Sequence, residues 1–415
     1  MPSHNDAQTL SFCSPEEVGL SSDKATQLVT ELNRRVTQGI LPGAVLMVVR
    51  HNQVAVHEAI GFRDRLDASP MQKDTIFRIA SMTKPIVSAA ALMLMAQGKL
   101  SIEDPVANYL PEFDNVQVGV EVTQPDGTQT LSLAPCRKKM TLQDLMRHTS
   151  GLTYGWDKAA LVDQLYDAHQ ILSMNQTLEE QVKKLAALPL KHQPGTTWEY
   201  GLSTDVLGRV IEVVSGEPLD VFLRRHIFEP LGMVDTDFGV NAQNMHRIAE
   251  TQINPETGER YLNVATGVKP KKFSGGGGLT STAMDYAKFC QMILNKGEFN
   301  GQTILSRKSI ELMTANHLPD TTTYPDANLY DWGSAMPYPA HFGTGFGLGF
   351  QVRLDAGKNP SAGSVGDLTW MGIWGTSFVI DPQENLILML LTQQPNSLMA
   401  HHRLLRNMGY AMLKS

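Results

Sequence analysis

The sequence predicts an α/β (α+β) fold in which an antiparallel sheet is flanked by helices and interrupted by a mostly helical region. Two β-rich runs lie near the beginning, AVLMVV (44–49) and QVAVHEAIG (53–61). Helical periodicity dominates from Ser81 to about Gly216, and strand-like runs return after the four glycines at 275–278. We therefore expect both chain ends to build one sheet.

The elements of the first half are predicted from their spacing. Apolar residues recur at helical intervals from Ser22 to Gly39, and the short Arg-His-Asn break between the two β-rich runs indicates a hairpin. Polar inserts such as TQPDGTQT (123–130) separate the later segments. The helices expected in the middle of the chain are 86–98, 141–148, 178–187 and 203–215.

The last third should return to the sheet. After a helix at 282–296, we expect three β-like runs, GFGLGFQVRL, DLTWMGIWGTSFVID and NLILMLLT, and then a final helix at about 399–413. This order predicts a sheet domain made of residues 1–78 and 275–415. Residues 79–274 would form the inserted, mostly helical domain.

Composition narrows the classes of function. The chain has 415 residues, 42% of them hydrophobic, and a formal net charge of -7, which suits a sizeable core and excludes an obvious nucleic-acid surface. The beginning of the sequence lacks the basic and apolar regions of a secretory signal, so we expect a cytoplasmic protein. The apolar runs 87–95 and 386–391 are too short to span a membrane. A small molecule is the expected partner.

Cysteine and histidine spacing gives no sign of a metal or other cofactor. Cys13, Cys136 and Cys290 lie far apart without a CxxC pair, which is typical of reduced thiols. The histidines show no HExxH pattern. His148 should end a helix, where a cationic ring is favoured. The glycines at 275–278 lack the context of a phosphate loop, and we expect backbone to pass close to a site there.

RIASMTKP places Ser81 and Lys84 three residues apart, on one face of a helix. Pro85 is tolerated only in a first helical turn, so the helix should begin near Ser81, where free N–H groups favour an oxyanion. A buried Lys84 could accept the serine proton. Serine is also a common helix cap, and Ser21 and Lys24 repeat the spacing. The spacing of Ser81 and Lys84 by itself does not distinguish a catalytic role from simple helix capping.

Longer blocks resemble the serine β-lactamase and penicillin-binding-protein superfamily, and within it the family VIII carboxylesterases that are similar to class C β-lactamases. The GxSxG signature of α/β-hydrolases is absent. The blocks run in order over about residues 14–413, which implies a β-lactamase/transpeptidase-like fold. They are FRIASMTKPIVSAAALMLMAQGKLSIEDPVANYLPEF, TLQDLMRHTSGLTYG, GTTWEYGLSTDVLGRVIEVVSGEPL, IFEPLGMVDT, GGGGLTSTAMDYAKFCQMIL and WMGIWGTSFVIDP.

The resemblance implies roles for particular residues. Ser81 would be the nucleophile, Lys84 its proton-accepting partner, and Tyr200 of WEYGLS the tyrosine that helps to activate serine and later water. A Trp-x-Gly motif matches Trp370, Met371 and Gly372. It would place the N–H of Ile373 beside that of Ser81 as the oxyanion hole.

Two departures from the β-lactamases concern the substrate. Leu202 replaces an asparagine that contacts the substrate amide, and Trp370 replaces a lysine that binds the β-lactam carboxylate. We therefore expect a serine carboxylesterase for short-chain or small neutral esters, acting through an acyl-enzyme. The alternatives are an amide hydrolase of the β-lactamase or DD-peptidase type, an acyltransferase, and a catalytically silent binding protein.

Substrate-binding residues are expected at the motifs and in aromatic loops. The motif positions are Trp370, Met371, Gly372 and Leu202. The loop residues selected are Tyr154, Trp156 and Tyr338, with Tyr324, Tyr330, Trp332 and Phe342 as further loop aromatics. No cofactor is expected, and the sequence does not determine the oligomeric state.

Overall fold

The structure, a computed structural model, describes residues 10–254, 256–261, 269–324 and 342–414, without the side chain of Asn396. A central sheet is flanked by helices, so the predicted mixed α/β class is confirmed. In this part of the chain no helix combines the length and apolar character that crossing a bilayer requires.

The strands of the central sheet come from residues 11–70 and 344–391. These strands are β1 (Ser11–Phe12), β2 (Gly43–Arg50), β3 (Gln53–Asp64), β4 (Ser69–Pro70), β11 (Thr344–Phe346), β12 (Gln351–Arg353), β13 (Leu368–Gly372), β14 (Thr376–Asp381) and β15 (Leu386–Leu391). Their order in the sheet is β1-β3-β2-β15-β14-β13-β12-β11, with β4 beside β3. All neighbours are antiparallel except the short pair of β1 and β3.

Among the described residues, three strand pairs lie outside the sheet. They are β5 (Phe77–Arg78) with β8 (Thr280–Ser281), β6 (Gln117–Thr123) with β7 (Gln129–Pro135), and β9 (Glu298–Phe299) with β10 (Gln302–Thr303).

The helices include most of those expected, within a few residues at their ends. They are α1 (Ser22–Thr37), α2 (Thr83–Ala96), α3 (Leu142–Met146), α4 (Leu161–Ala168), α5 (Leu178–Ala186), α6 (Ser203–Ser215), α7 (Leu219–Leu223), α8 (Glu229–Leu231), α9 (Ala283–Leu294), α10 (Arg307–Thr314) and α11 (Leu398–Tyr410). The predicted helix 203–215 is confirmed at both ends, and Gly216 closes it in a left-handed conformation.

Both faces of the sheet are covered, which explains the continuous apolar run of β2. Val45, Met47 and Val49 contribute to the core on the side of α2 and α9. The alternate residues, including Leu46 and Val48, point to the opposite side, where α1 and α11 pack. Since successive side chains of a strand point to opposite faces, a strand buried on both faces is apolar throughout.

Three sequence expectations need correction. The polar insert around 123–130 is the turn of the hairpin β6–β7, so the middle of the chain is not purely helical. DLTWMGIWGTSFVID is not one run but two strands, β13 and β14, joined by a turn at 373–375. GFGLGFQVRL likewise forms β11 and β12. The limits drawn for the two domains, at 78/79 and 274/275, stay predictions.

Candidate active site

Ser81 lies in a single 3-10 turn, Ala80–Met82, that leads into α2. Pro85 is in the first turn of α2, where its missing N–H costs no helical hydrogen bond. Ala80 has φ 44, a left-handed conformation that is unfavourable for a residue with a side chain. This tight turn presents Ser81 to the adjoining cavity.

Lys84 is completely buried one turn after Ser81. Its Nζ donates to Ser81 Oγ at 3.2 Å, to Tyr154 Oη at 2.9 Å and to the carbonyl oxygen of Gly276 at 2.6 Å. The amino nitrogen thus lies within hydrogen-bond distance of three oxygen atoms from separate segments of the chain. Lys84 is therefore held against the serine by hydrogen bonds.

The tetraglycine passes beside the site, as expected. A Cβ on Gly276 would lie 2.4 Å from Asp205 Oδ2, so only glycine allows this approach. Because the backbone comes so close, the Gly276 carbonyl reaches Lys84.

Two tyrosines surround Lys84 in different ways. The ring centre of Tyr200 lies 4.6 Å from Nζ, and Tyr200 Oη accepts a hydrogen bond from Trp370 Nε1 at 3.3 Å. The hydroxyl bonded directly to Lys84 belongs to Tyr154. Burial and the hydrogen-bonded Tyr200 hydroxyl raise the pKa of Tyr154 well above its usual range. Tyr154 is thus a neutral link between Lys84 and Tyr200, in addition to lining the cavity.

The hairpin β13–β14 forms the opposite wall. Gly372 packs so closely on the serine turn that a Cβ would lie 2.3 Å from the carbonyl oxygen of Ile79. Thr376 Oγ1 also donates to that carbonyl, at 3.3 Å. Ser81 and Ile373 line the same cavity. Their role as oxyanion donors stays a prediction.

The cavity beside Ser81 has a volume of about 300 Å³. Of the predicted substrate-binding residues, four line it: Tyr154, Trp156, Leu202 and Met371. Trp370 and Gly372 lie behind this wall, with Trp370 against Tyr200. Tyr338, Tyr330 and Trp332 fall outside the described residues. Tyr324 and Phe342 are described but are not among the residues that line the cavity.

Several lining residues were not predicted. Leu172 and Met174 are 42% and 45% exposed and lie at its edge. Trp374 belongs to the turn between β13 and β14. The others are Trp198, Asp205, Lys272, Ser274, Pro395 and Leu398. These positions come from separate segments, and no local pattern in the sequence connects them.

A buried ionic network supports both tyrosine segments. Lys191 Nζ lies 3.5 Å from Asp157, 2.9 Å from Asp163 and 3.4 Å from Glu199. Thr153 Oγ1 donates to Asp163 at 2.8 Å and is 3.3 Å from Glu199. Because Thr153 precedes Tyr154 and Glu199 precedes Tyr200, the network fixes the two tyrosines relative to each other.

The expectation of a cationic His148 is wrong. α3 ends at Met146, and His148 follows in a left-handed conformation with φ 59 and 1% exposure. Its ring packs against Tyr200 with centroids 4.8 Å apart. Burial and the charge of Lys84 hold the pKa of His148 well below its usual value, so the ring is neutral.

The described residues contain no cluster of His, Cys, Asp or Glu suited to a metal ion. All three cysteines are free thiols.

Comparisons with known proteins identify the family of the chain. A family model described as Beta-lactamase matches residues 26–411. Protein Rv1367c of Mycobacterium tuberculosis is 36% identical over 363 residues, 86% of each chain. Esterase EstB of Burkholderia gladioli is 30% identical over 379 residues, 89% of this chain and 90% of that one.

More distant relatives carry other activities in their names. A protein of Escherichia coli (strain K12), provisionally named a D-alanyl-D-alanine carboxypeptidase, is 26% identical over 419 residues, 94% of this chain and 86% of that one. The structure is similar to that of EstCE1, "a hydrolase with promiscuous acyltransferase activity", with a TM-score of 0.73 and 25% identity over 93% of this chain and 98% of that one. With the family match across most of its length, this chain belongs to the β-lactamase family of serine hydrolases.

Proposed function

We propose that the protein is a serine carboxylesterase of the family VIII type that acts through an acyl-enzyme on Ser81. The observation that carries the proposal is the 3.2 Å hydrogen bond between Lys84 Nζ and Ser81 Oγ at the wall of an apolar cavity. The 30% identity to Esterase EstB supports the ester as the scissile group.

The first half-reaction forms the acyl-enzyme. Ser81 Oγ attacks the ester carbonyl carbon while its proton passes to the hydrogen-bonded set of Lys84, Tyr154 and Tyr200. The N–H groups of Ser81 and Ile373 would stabilise the negative oxygen. When the tetrahedral intermediate collapses, the C–O bond breaks and the leaving alcohol takes the proton.

The second half-reaction regenerates the enzyme. Water attacks the acyl carbonyl and gives a proton to the same set of residues, and collapse releases the carboxylic acid and returns the proton to Ser81 Oγ. Tyr200 suits the proton-accepting role because the hydroxyl of Tyr154 and the indole N–H of Trp370 are both hydrogen-bonded to its oxygen.

The walls favour an uncharged scissile portion. Leu202 lines the cavity, and Trp370, the replacement for the β-lactamase lysine, is buried against Tyr200. A β-lactam or D-alanyl-D-alanine carboxylate would therefore find no cation at that position.

Acyl transfer to an alcohol is a second candidate activity. It is favoured by the apolar lining, which lowers the access of water to an acyl-enzyme, and by the likeness to EstCE1. Adding methanol to the assay and measuring methyl ester against free acid would separate transfer from hydrolysis.

The decisive test is intact-protein mass spectrometry with p-nitrophenyl butyrate and, separately, a cephalosporin, with product release followed in parallel. We expect fast ester turnover, a trapped adduct on Ser81, and slow or no cephalosporin hydrolysis. Ser81→Ala should abolish both adduct and turnover.

Ser21→Ala is the matched control, because Ser21 and Lys24 form the other Ser-x-x-Lys and Ser21 only caps α1. This variant should keep full activity. Rapid cephalosporin turnover would favour a β-lactamase. The absence of any adduct would favour a silent binding protein.

A further inference from the structure

Lys272 is a buried lysine in the wall of the cavity that contains Ser81. Its side chain is only 3% exposed, although it ends the basic stretch KPKK (269–272) and its neighbour Lys271 is exposed. Burying an ammonium group is costly unless a partner compensates for the lost water. Lys272 takes no part in the proposed hydrolytic steps.

Among the described residues, Lys272 has one hydrogen-bond partner, and that bond is long. Nζ donates to the carbonyl oxygen of Leu172 at 3.3 Å, and none of the ion pairs in the described part of the chain includes it. Lys191, which is 11% exposed at its side chain, pairs with Asp163 at 2.9 Å. An ammonium group has three donors. Lys272 therefore retains hydrogen-bonding capacity for a ligand.

Asp205 is the only carboxylate among the described lining residues, and it is engaged elsewhere. Its Oδ1 accepts a hydrogen bond from Ser274 Oγ at 2.6 Å. Burial lowers the pKa of Lys272, and the more distant charge of Asp205 opposes this effect. Asp205 thus moderates the cost of burying Lys272 without forming a direct pair with it.

Most of the remaining wall is apolar, with Trp156, Met174 and Leu398 among its residues. An anionic group in such surroundings interacts strongly with a nearby cation, because little water screens the charges. Lys272 is the one lysine or arginine among the described residues that line the cavity.

We propose that Lys272 binds a carboxylate carried by the ester substrate at a distance from the scissile carbonyl. This inference rests on the proposed esterase function and deepens it: the enzyme would hydrolyse neutral esters but prefer those whose cavity-filling portion ends in an acid. The position differs from that of Trp370, where the β-lactamases hold their carboxylate-binding lysine.

The backbone between Lys272 and Gly276 limits the length of the spacer, which is the part of the substrate between the scissile carbonyl and the carboxylate. Gly276, whose carbonyl accepts from Lys84, is four residues after Lys272, and four residues span at most about 14 Å. A chain of several methylene groups between carbonyl and carboxylate fits this range. Dicarboxylic monoesters are therefore suitable probes.

The experiment compares p-nitrophenyl monoesters of adipic, pimelic and suberic acid with the same esters ending in a carboxamide. These acids are long enough to avoid self-cleavage through a cyclic anhydride. In the wild type, kcat/KM should favour the acid at one chain length at least by about tenfold. Lys272→Met should remove this ratio, Lys272→Arg should keep part of it, and Lys271→Met should leave both the ratio and the basal activity unchanged.

A wild-type ratio of one or less at every length would overturn the proposal, as would an unchanged ratio in Lys272→Met. Calorimetric titration with free suberate separates this result from a failure of the esterase function. Suberate binding that is lost in Lys272→Met, in a protein that cleaves no ester, would disprove the esterase and retain the anion site. A wild type that neither prefers acidic esters nor binds suberate would refute the site itself.

Discussion

Lys84 Nζ donates a 2.9 Å hydrogen bond to the hydroxyl of Tyr154, while the ring centre of Tyr200 lies 4.6 Å from the same nitrogen. The family resemblance assigns the active tyrosine to Tyr200 alone. The observed arrangement makes Tyr154 a second member of the hydrogen-bonded set, because it links Lys84 to Tyr200.

We expect Tyr154→Phe to lower kcat by about tenfold to a hundredfold and Tyr200→Phe by about a hundredfold or more, since each removes a hydroxyl that transfers protons in the proposed mechanism. If Tyr154 only lined the cavity, its loss would change KM and leave kcat intact. Steady-state kinetics with p-nitrophenyl butyrate distinguishes the two cases. Tyr166→Phe is the control, because the buried Tyr166 hydroxyl has no hydrogen-bond partner in the described structure.

Gly372→Ala should separate β13 from the serine turn. The added Cβ would lie 2.3 Å from both the Ile79 carbonyl oxygen and Thr376 Oγ1. We expect kcat to fall by about a hundredfold, because the oxyanion donors would shift by a fraction of an ångström to 1 Å, and stability to fall by about 1–3 kcal/mol. Kinetics and urea unfolding measure the two effects.

The matched control for that variant is Gly357→Ala, an exposed glycine whose added Cβ would meet only Asp355 Oδ1 at 3.6 Å. It should behave as wild type in both measurements. Equal activity losses in the two alanine variants would contradict the proposed close packing at Gly372.

Local signals in the sequence were sufficient for most helices and for the position of Ser81. Pro85 fixed the start of α2, and Gly216 fixed the end of α6. The hairpin β6–β7 was missed although its signal was present, since Val118, Val120 and Val122 alternate with other residues and Asp126-Gly127 is a turn pair. Two of these valines are exposed, so the alternation does not mark a core face.

Long-range contacts explain what the sequence could not predict. Tyr154 reaches Lys84 across 70 residues, and only the packing of its loop on α2 brings them together. Lys272 lies in a basic stretch that is typical of solvent-exposed chain, yet the fold buries it. His148 is buried by Tyr200 and Phe346, which come from other segments of the chain. Because the local sequence does not reveal this burial, the ring was expected to be charged.

Lys191→Met should destabilise the fold and weaken catalysis together. Removing the cation would leave the carboxylates of Asp157, Asp163 and Glu199 buried without it, at a cost of about 3–5 kcal/mol. The paired carboxylates raise the pKa of Lys191 in the folded state. Its stabilising effect is therefore complete below the ordinary lysine pKa and is lost only as the pH rises through the higher folded value.

Urea unfolding of the wild type and of Lys191→Met at pH 7 measures this cost, and steady-state kinetics measures the loss of activity. Lys183→Met, which removes an exposed pair with Glu179, should cost less than about 1 kcal/mol.

Buried histidines should make the fold sensitive to acid. Burial lowers the pKa of His401 to about 4 and that of His402 to about 3. Below the ordinary histidine pKa of about 6.5, the unfolded chain binds protons that the folded chain does not, so each residue reduces stability by about 1.4 kcal/mol per pH unit. The loss of stability begins near the histidine pKa of the unfolded chain and continues until the pH reaches the pKa of the folded state.

His402→Gln tests this origin of acid sensitivity, because glutamine is polar but does not titrate. Between pH 6 and 4.5 the wild type should lose about 2 kcal/mol more stability than the variant, as measured by urea unfolding at each pH. Carboxylates contribute equally to both proteins and cancel in the difference. His169→Gln, at an exposed position, should keep the wild-type slope. Parallel slopes for wild type and His402→Gln would show that His402 is protonated in the folded state and carries no acid sensitivity.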